Sequence, residues 1–405
     1  MVEHVANSEY FSIQHFISES PWEARGCFDS VSRDTSNLFE NQNRVCLLID
    51  ESAHTKKGTK SVGVNRQYSG QLGKVDNCQV AVYGALSAGE YYNLIDTRLY
   101  LPREWTDDKK RCKAAGVPDE EMKHRTKPEL ALEILRHQKI LGTRFHWAVA
   151  DGLYGHDSDF RKNTDALGIL YMYDVHSDDG VYLERPDIFV PERTSNKGRN
   201  PVRLKASTQL HKVINLDKGL DESSWKEYSI RNTTKGVLKA KIWVKKVYTW
   251  DGKNSTPRQE LLVVQRITNE KGVHEYKCSL SNAPEEKYSW LELAQVQAQR
   301  YFVERSFQET KQQVGMSEYQ VRGWLSWHHH LAMVMMSMFF VLSEKIRFAD
   351  QYPLLSAYDA RQFIIHTYAS KINSIEDVKI QMENRHRQRK IAIDQHYKKE
   401  SNLSK

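Results

Sequence analysis

The chain has 405 residues, 40% of them hydrophobic and 27% charged, with a formal net charge of +7. That is enough for one large domain or two to three ordinary ones around a real core, with a globular composition. The basic balance is compatible with a nucleic-acid partner but does not show one. Five scattered cysteines without CxxC spacing (Cys27, Cys46, Cys78, Cys112 and Cys278) argue against a disulfide framework or a zinc site and for a reducing cytosol. The N-terminal MVEHVANSEYFS lacks the basic and apolar regions of a signal peptide. These features lead us to expect a soluble cytoplasmic protein with no membrane partner.

Residues 1–43 read as a helical segment, with a helix start at Ser20-Pro21. Val45 to Ile49 is a short apolar, β-prone run that ends on Asp50, and a Lys-, Gly- and Ser-rich loop follows. Gln79 to Leu86 and Tyr91 to Tyr100 read as a hairpin, and Lys127 to Leu141 as a helix. Phe145 to Ala150 is a strand ending on Asp151, Asp157 to Leu167 a helix, and Ile169 to Val175 another strand. These elements make residues 44–176 the first part of a mixed α/β core. Residues 177–286 open with a Pro-containing loop and continue as several β-type runs, a β-rich insertion. Helical spacing returns over 287–346, the final core helices, and 347–405 read as a helical, basic tail. The apolar run Leu331 to Leu342 is too short to span a bilayer and reads as a core helix, with its methionines as filling.

Two acidic residues, Asp50 and Asp151, end two short apolar strands. Strands buried on both faces give such runs, and ligands bind where they end. Glu304, in the helix YFVERSFQETK, is the natural third carboxylate. Its rival Glu309 lies about 140° away around the helix. Converging carboxylates repel, and a hard divalent cation such as Mg²⁺ or Mn²⁺ resolves the repulsion. Two such ions about 4 Å apart suit phosphoryl transfer on nucleic acid. Taken singly, Asp50 and Asp151 also fit a capping or turn aspartate, with the glycines of DGLYG favouring a tight turn. Lys56, Lys57, Lys60 and Lys74 suit phosphate contacts or a solvated loop equally, as do Arg193, Lys197, Arg199 and Arg203. His328, His329 and His330 are adjacent on a helix and cannot share one metal.

Three blocks occur in order: Asp50 to Leu86, Val149 to Gly155 (VADGLYG) and Tyr301 to Met336. Together they resemble the IS701 group of the IS4-like DDE insertion-sequence transposases, over roughly residues 20 to 345. The resemblance implies an RNase H-like core interrupted by an all-β insertion. It implies Asp50, Asp151 and Glu304 as the ligands of two Mg²⁺ or Mn²⁺ ions. It implies Arg300 and Lys311, at the family's Arg-x3-Glu-x6-Lys spacing, as phosphate contacts; Gln297 stands where that signature has tyrosine. Tyr276 is placed to stack on a flipped base, and Lys57 and Lys74 join the DNA-contacting set. The partners implied are double-stranded DNA, both element inverted repeats and target, and a second copy in a homodimer. The compartment implied is the bacterial cytoplasm, at the nucleoid. Relatives carry more helical chain before Ser20, so the resemblance also implies an N-terminally truncated copy. Two other functions fit these residues: a truncated or domesticated copy that binds DNA without catalysis, and a metal-dependent nuclease without strand transfer.

Overall fold

The computed structural model describes residues 10–403 apart from 71, 194–199, 217–219, 234–235, 254–255, 269–271 and 369–373. Lys197 and Arg199 thus lie outside the described residues. Helices α1 (Tyr10–Ser18) and α2 (Ala24–Leu38) lead into strands β1 (Cys46–Thr55), β2 (Asn65–Ser69), β3 (Lys74–Ala88) and β4 (Tyr91–Leu99). Then come α3 (Arg103–Thr106), α4 (Lys109–Ala114), α5 (Lys127–Leu141), β5 (Trp147–Ala150), α6 (Gly152–Gly155), α7 (Ser158–Ala166) and β6 (Tyr171–Asp174). The middle of the chain carries β7 (Gly180–Val181), β8 (Ile188–Phe189), β9 (Lys205–Ala206) and β10 (His211–Lys212). Longer strands follow: β11 (Lys226–Thr233), β12 (Gly236–Thr249), β13 (Arg258–Thr268) and β14 (His274–Ser281). Helices α8 (Trp290–Ala298), α9 (Tyr301–Gln313), α10 (Trp324–Arg347), α11 (Ala357–Tyr368) and α12 (Ile375–Leu403) close it.

Among the described residues ten strands form one sheet, ordered β11-β12-β13-β14-β6-β5-β1-β3-β2, with β4 also paired to β3. Within it, β1, β5 and β6 are parallel neighbours, and β3 is antiparallel to β1. The run β4-β3-β1-β5-β6 with flanking helices is an RNase H-like core. The strands of the β-rich segment continue this sheet: β14 pairs antiparallel with β6, Ser279 opposite Asp174.

Burial explains the strand composition. Cys46 to Ile49 and Trp147 to Ala150 are buried throughout, because helices cover both faces. One face receives α5, which starts on a Thr126/Glu129 capping box and ends on left-handed Gly142. The other receives α9, whose Phe307 meets Tyr83 of β3 edge-on at 5.3 Å between centroids.

Strand β1 runs five residues past Asp50, where the sequence suggests a loop. The reason is β3, which is long enough to pair with Glu51 to Thr55 and satisfies their backbone. The twelve-residue apolar run belongs to a 24-residue helix, α10, which is long and apolar enough to cross a membrane by length and composition. Here it packs against α2 and β4, with Leu331, Val334, Met335 and Met338 buried. His329 is buried between the Ile17 and Trp22 carbonyls, and its ring stacks on Trp22.

Candidate active site

Parallel register brings the carboxylates together. Ile49 pairs with Ala150, so Asp50 and Asp151 follow side by side where β5 stops. Ala150 in turn pairs with Tyr173, which carries Asp174 to the same line at the end of β6. Strand alternation points all three aspartates to one face, which α8 and α9 cover between them. The three parallel strands thus set the acids in a row, Asp50 midway along β1 and Asp151 and Asp174 at the ends of β5 and β6.

One carboxylate oxygen each from Asp50, Glu51 and Asp151 lies within 4.8 Å of the others. Glu51 belongs to the opposite face by alternation, yet its carboxylate joins the group. Its other contacts fix it there: Lys127 Nζ at the start of α5 donates to it at 2.8 Å, and the buried Tyr154 hydroxyl at 2.9 Å. Asp50 accepts from the Glu51 amide at 2.7 Å. Asp151 accepts from the Leu153 amide at 3.0 Å, so it also caps the short α6. The capping role foreseen for a lone aspartate and membership of an acidic cluster hold together in one residue.

Burial, then the Asp151 and Glu51 charges, push the Asp50 carboxyl well above the ordinary carboxylate range. Burial, then Glu51, raise Asp151 from 3.8 to about 6. Half-buried, mutually repelling oxygen donors fit a hard divalent cation, which offsets their repulsion and favours their ionised form.

Glu304 stands differently. It is exposed on α9, and Arg300 Nη2 holds its carboxylate at 3.0 Å. The same guanidinium donates through Nε to Asp174 at 2.8 Å. Arg300 thus spans from the aspartate row to Glu304, and the Asp174, Glu304, Asp50 and Asp151 charges together raise its pKa. Glu309 is turned away and bonded by Arg305 at 3.2 Å. Lys311, on the last turn of α9, reaches the Ala53 carbonyl of β1 at 3.5 Å.

Gln297 is buried, and its side-chain amide donates to Ser279 Oγ at 2.7 Å. Ser279 donates to Asp174 at 2.6 Å. The residue in the signature's tyrosine position is therefore packed under the site, behind the aspartate that holds Arg300. Tyr276 lies three residues from Ser279 on β14, an odd offset that turns it to the other face, beside Trp225. It is 41% exposed. Lys57 is exposed in the loop after β1, and Lys74, at the start of β3, lies 3.9 Å from Asp76.

Glycine at 155 has a steric cause. A Cβ there would stand 1.8 Å from the Asp174 carbonyl oxygen, so α6 and β6 approach as closely as they do only without a side chain. The tight turn expected of the DGLYG glycines is in fact this close approach: neither Gly152 nor Gly155 is left-handed.

Two comparisons with known proteins bear on the family of the chain. A curated relative, the probable transposase for insertion sequence element IS701 of Microchaete diplosiphon, is 32% identical over 174 residues. The match spans 42% of this chain and 42% of the relative, less than half the length of either. The family model described as DDE superfamily endonuclease matches residues 1–237, more than half of the 405, and the chain belongs to that family.

Proposed function

We propose that the protein is a DNA transposase of the IS701 type, which cuts DNA at the ends of its own element and joins them to a target. The observation that carries this reading is the meeting of Asp50 and Asp151 on adjoining parallel strands, beside the helix that bears Glu304. Asp50, Asp151 and Glu304 would hold two divalent cations, Mg²⁺ or Mn²⁺, with Glu51 as a further oxygen donor. When bound, such ions activate a water or a 3′-hydroxyl and stabilise the leaving oxygen.

The chain's own residues would do the rest. Asp174, fixed by Ser279, orients Arg300. A phosphate oxygen arriving at Arg300 competes with Glu304 for the guanidinium, and that exchange frees the glutamate for the metal site. Lys311, Lys57 and Lys74 would carry further phosphate contacts, which position DNA without reading its sequence. Stacking of a flipped base on Tyr276, worth about 1–3 kcal/mol, would have to take place on the sheet face opposite the acids, beside Trp225. Joining two element ends requires two active sites together, hence a homodimer on double-stranded DNA, working in the bacterial cytoplasm.

A strand-transfer assay separates this function from that of a nuclease. Pre-nicked element ends with a free 3′-hydroxyl, incubated with target plasmid and Mg²⁺, are expected to yield covalently joined product. Cleavage of intact ends without any joined product would refute the transposase reading and leave a metal-dependent nuclease.

A further inference from the structure

Beyond the carboxylates, β1 leads into two adjoining cavities, of about 740 and 850 Å³. They share Thr59, Lys60 and Arg322 as wall residues, so they lie side by side, and together they make one channel along this surface. Its walls carry Lys56, Lys57, Lys60, Arg66, Arg111 and Arg322, and no aspartate or glutamate. Among the described residues none of these six cations is ion-paired. Elsewhere the molecule does pair its cations, as at Arg98, Arg125, Arg161 and Arg266.

The channel is built rather than a loose basic loop. Arg111 donates to the Thr59 carbonyl at 2.8 Å, and its guanidinium lies 3.8 Å from the centre of the Trp105 ring. Lys56 donates to the Tyr319 carbonyl at 3.2 Å and lies 3.3 Å from the centre of that ring. The Val62 amide bonds the Arg322 carbonyl at 2.9 Å, which ties the loop after β1 to the segment before α10. Burial without a counter-charge lowers the Lys56 ammonium to about 8. A desolvated cation with no anion beside it gains most when one arrives.

We propose that this channel binds the phosphodiester backbone of a DNA strand. Its mouth at Thr55 is five residues along β1 from Asp50, roughly 17 Å at 3.4 Å per residue. Lys311 over Ala53 lies on the way. At about 3.4 Å of axis per nucleotide in one strand, the channel takes phosphates about five nucleotides from the bond at the carboxylates. A single small anion leaves most of two cavities and six cations unmet, whereas a strand meets them in series. The proposal rests on the transposase reading only for the identity of its ligand as DNA.

The test is the salt dependence of DNA binding, read by fluorescence anisotropy in the absence of divalent metal. Two labelled duplexes of equal length are used, one carrying the element end and one of unrelated sequence. The variant Lys60→Gln/Arg66→Gln/Arg322→Gln changes three exposed side chains, and Lys60→Arg/Arg66→Lys/Arg322→Lys keeps their charge. The slope of log K against log salt is expected to shrink by about 0.9 per lost contact, up to nearly 3 units, in the neutral variant alone. A smaller slope on the element end only places that DNA in the channel; a smaller slope on both duplexes makes the grip indifferent to sequence. Wild-type binding with an unchanged slope in the neutral variant overturns the channel and leaves the transposase reading standing. A wild type that binds neither duplex overturns both.

Discussion

Asp151 concentrates the chemistry of the site in one titration. Its ordinary pKa of 3.8 rises to about 6 in the fold, because burial and the Glu51 charge disfavour the carboxylate. The native state therefore holds its proton more tightly than the unfolded chain does, so stability falls as pH rises from about 3.8 to 6 and the penalty persists above. Melting temperatures in chelator between pH 4 and 7 are expected to fall more steeply for the wild type than for Asp151→Asn. Mg²⁺ should restore the wild type above pH 6 and leave the variant little changed. Parallel curves for the two proteins would mean that Asp151 carries no such strain. Residues of this kind were only partly legible in the sequence. Asp50 and Asp151 stood out because each ends an apolar run. Asp174 ends one too, in ILYMYD, and the same signal would have found it. Glu51 was hidden because a neighbour of Asp50 on a strand belongs to the opposite face. Its carboxylate joins the group all the same, held by Lys127 and Tyr154.

At the scale of elements, α9 is the part whose placement matters most. Arg300 at its start links the aspartate row to Glu304, Lys311 reaches β1 at Ala53, and its grip on the sheet includes Phe307 against Tyr83 and Phe302 against Tyr92. Removing the Phe307 ring is expected to cost about 3–5 kcal/mol, the usual price of a buried Phe→Ala. Chemical denaturation of Phe307→Ala measures the loss. Residual cleavage under folding conditions should drop with it, since a small shift of α9 moves Glu304. A cost below about 1 kcal/mol would show that α9 is held by other contacts. The helices themselves were readable from caps and spacing, as at α5. The full length of β1 was not, because SAHT has no strand signal of its own. It is a strand because β3 lies beside it.

The whole molecule is organised around one sheet that carries both the acidic row and the β-rich segment. The bond between them is local: Ser279 of β14 faces Asp174 of β6, and Gln297 locks that pair from α8. The sequence showed a β-rich stretch between two parts of a core. It contained no sign that these strands continue the core sheet, since pairing across about 100 residues has no local signal. Nor did it show that cations far apart in the chain, such as Lys56, Arg111 and Arg322, line one channel. The shared sheet couples the segment's position to the carboxylates, so the site is a property of the assembled molecule. In that assembly Asp50, Asp151 and Glu304 together would make a metal-dependent site for cutting DNA. The most direct measurement is Mg²⁺-dependent cleavage of a labelled duplex carrying the element end. Wild type is compared with Asp50→Ala, Asp151→Ala, Glu304→Ala and, as a control, Glu309→Gln. Cleavage is expected from the wild type and the control, with its loss in each of the three alanine variants and DNA binding kept in all five. Cleavage retained by Asp151→Ala would contradict that site.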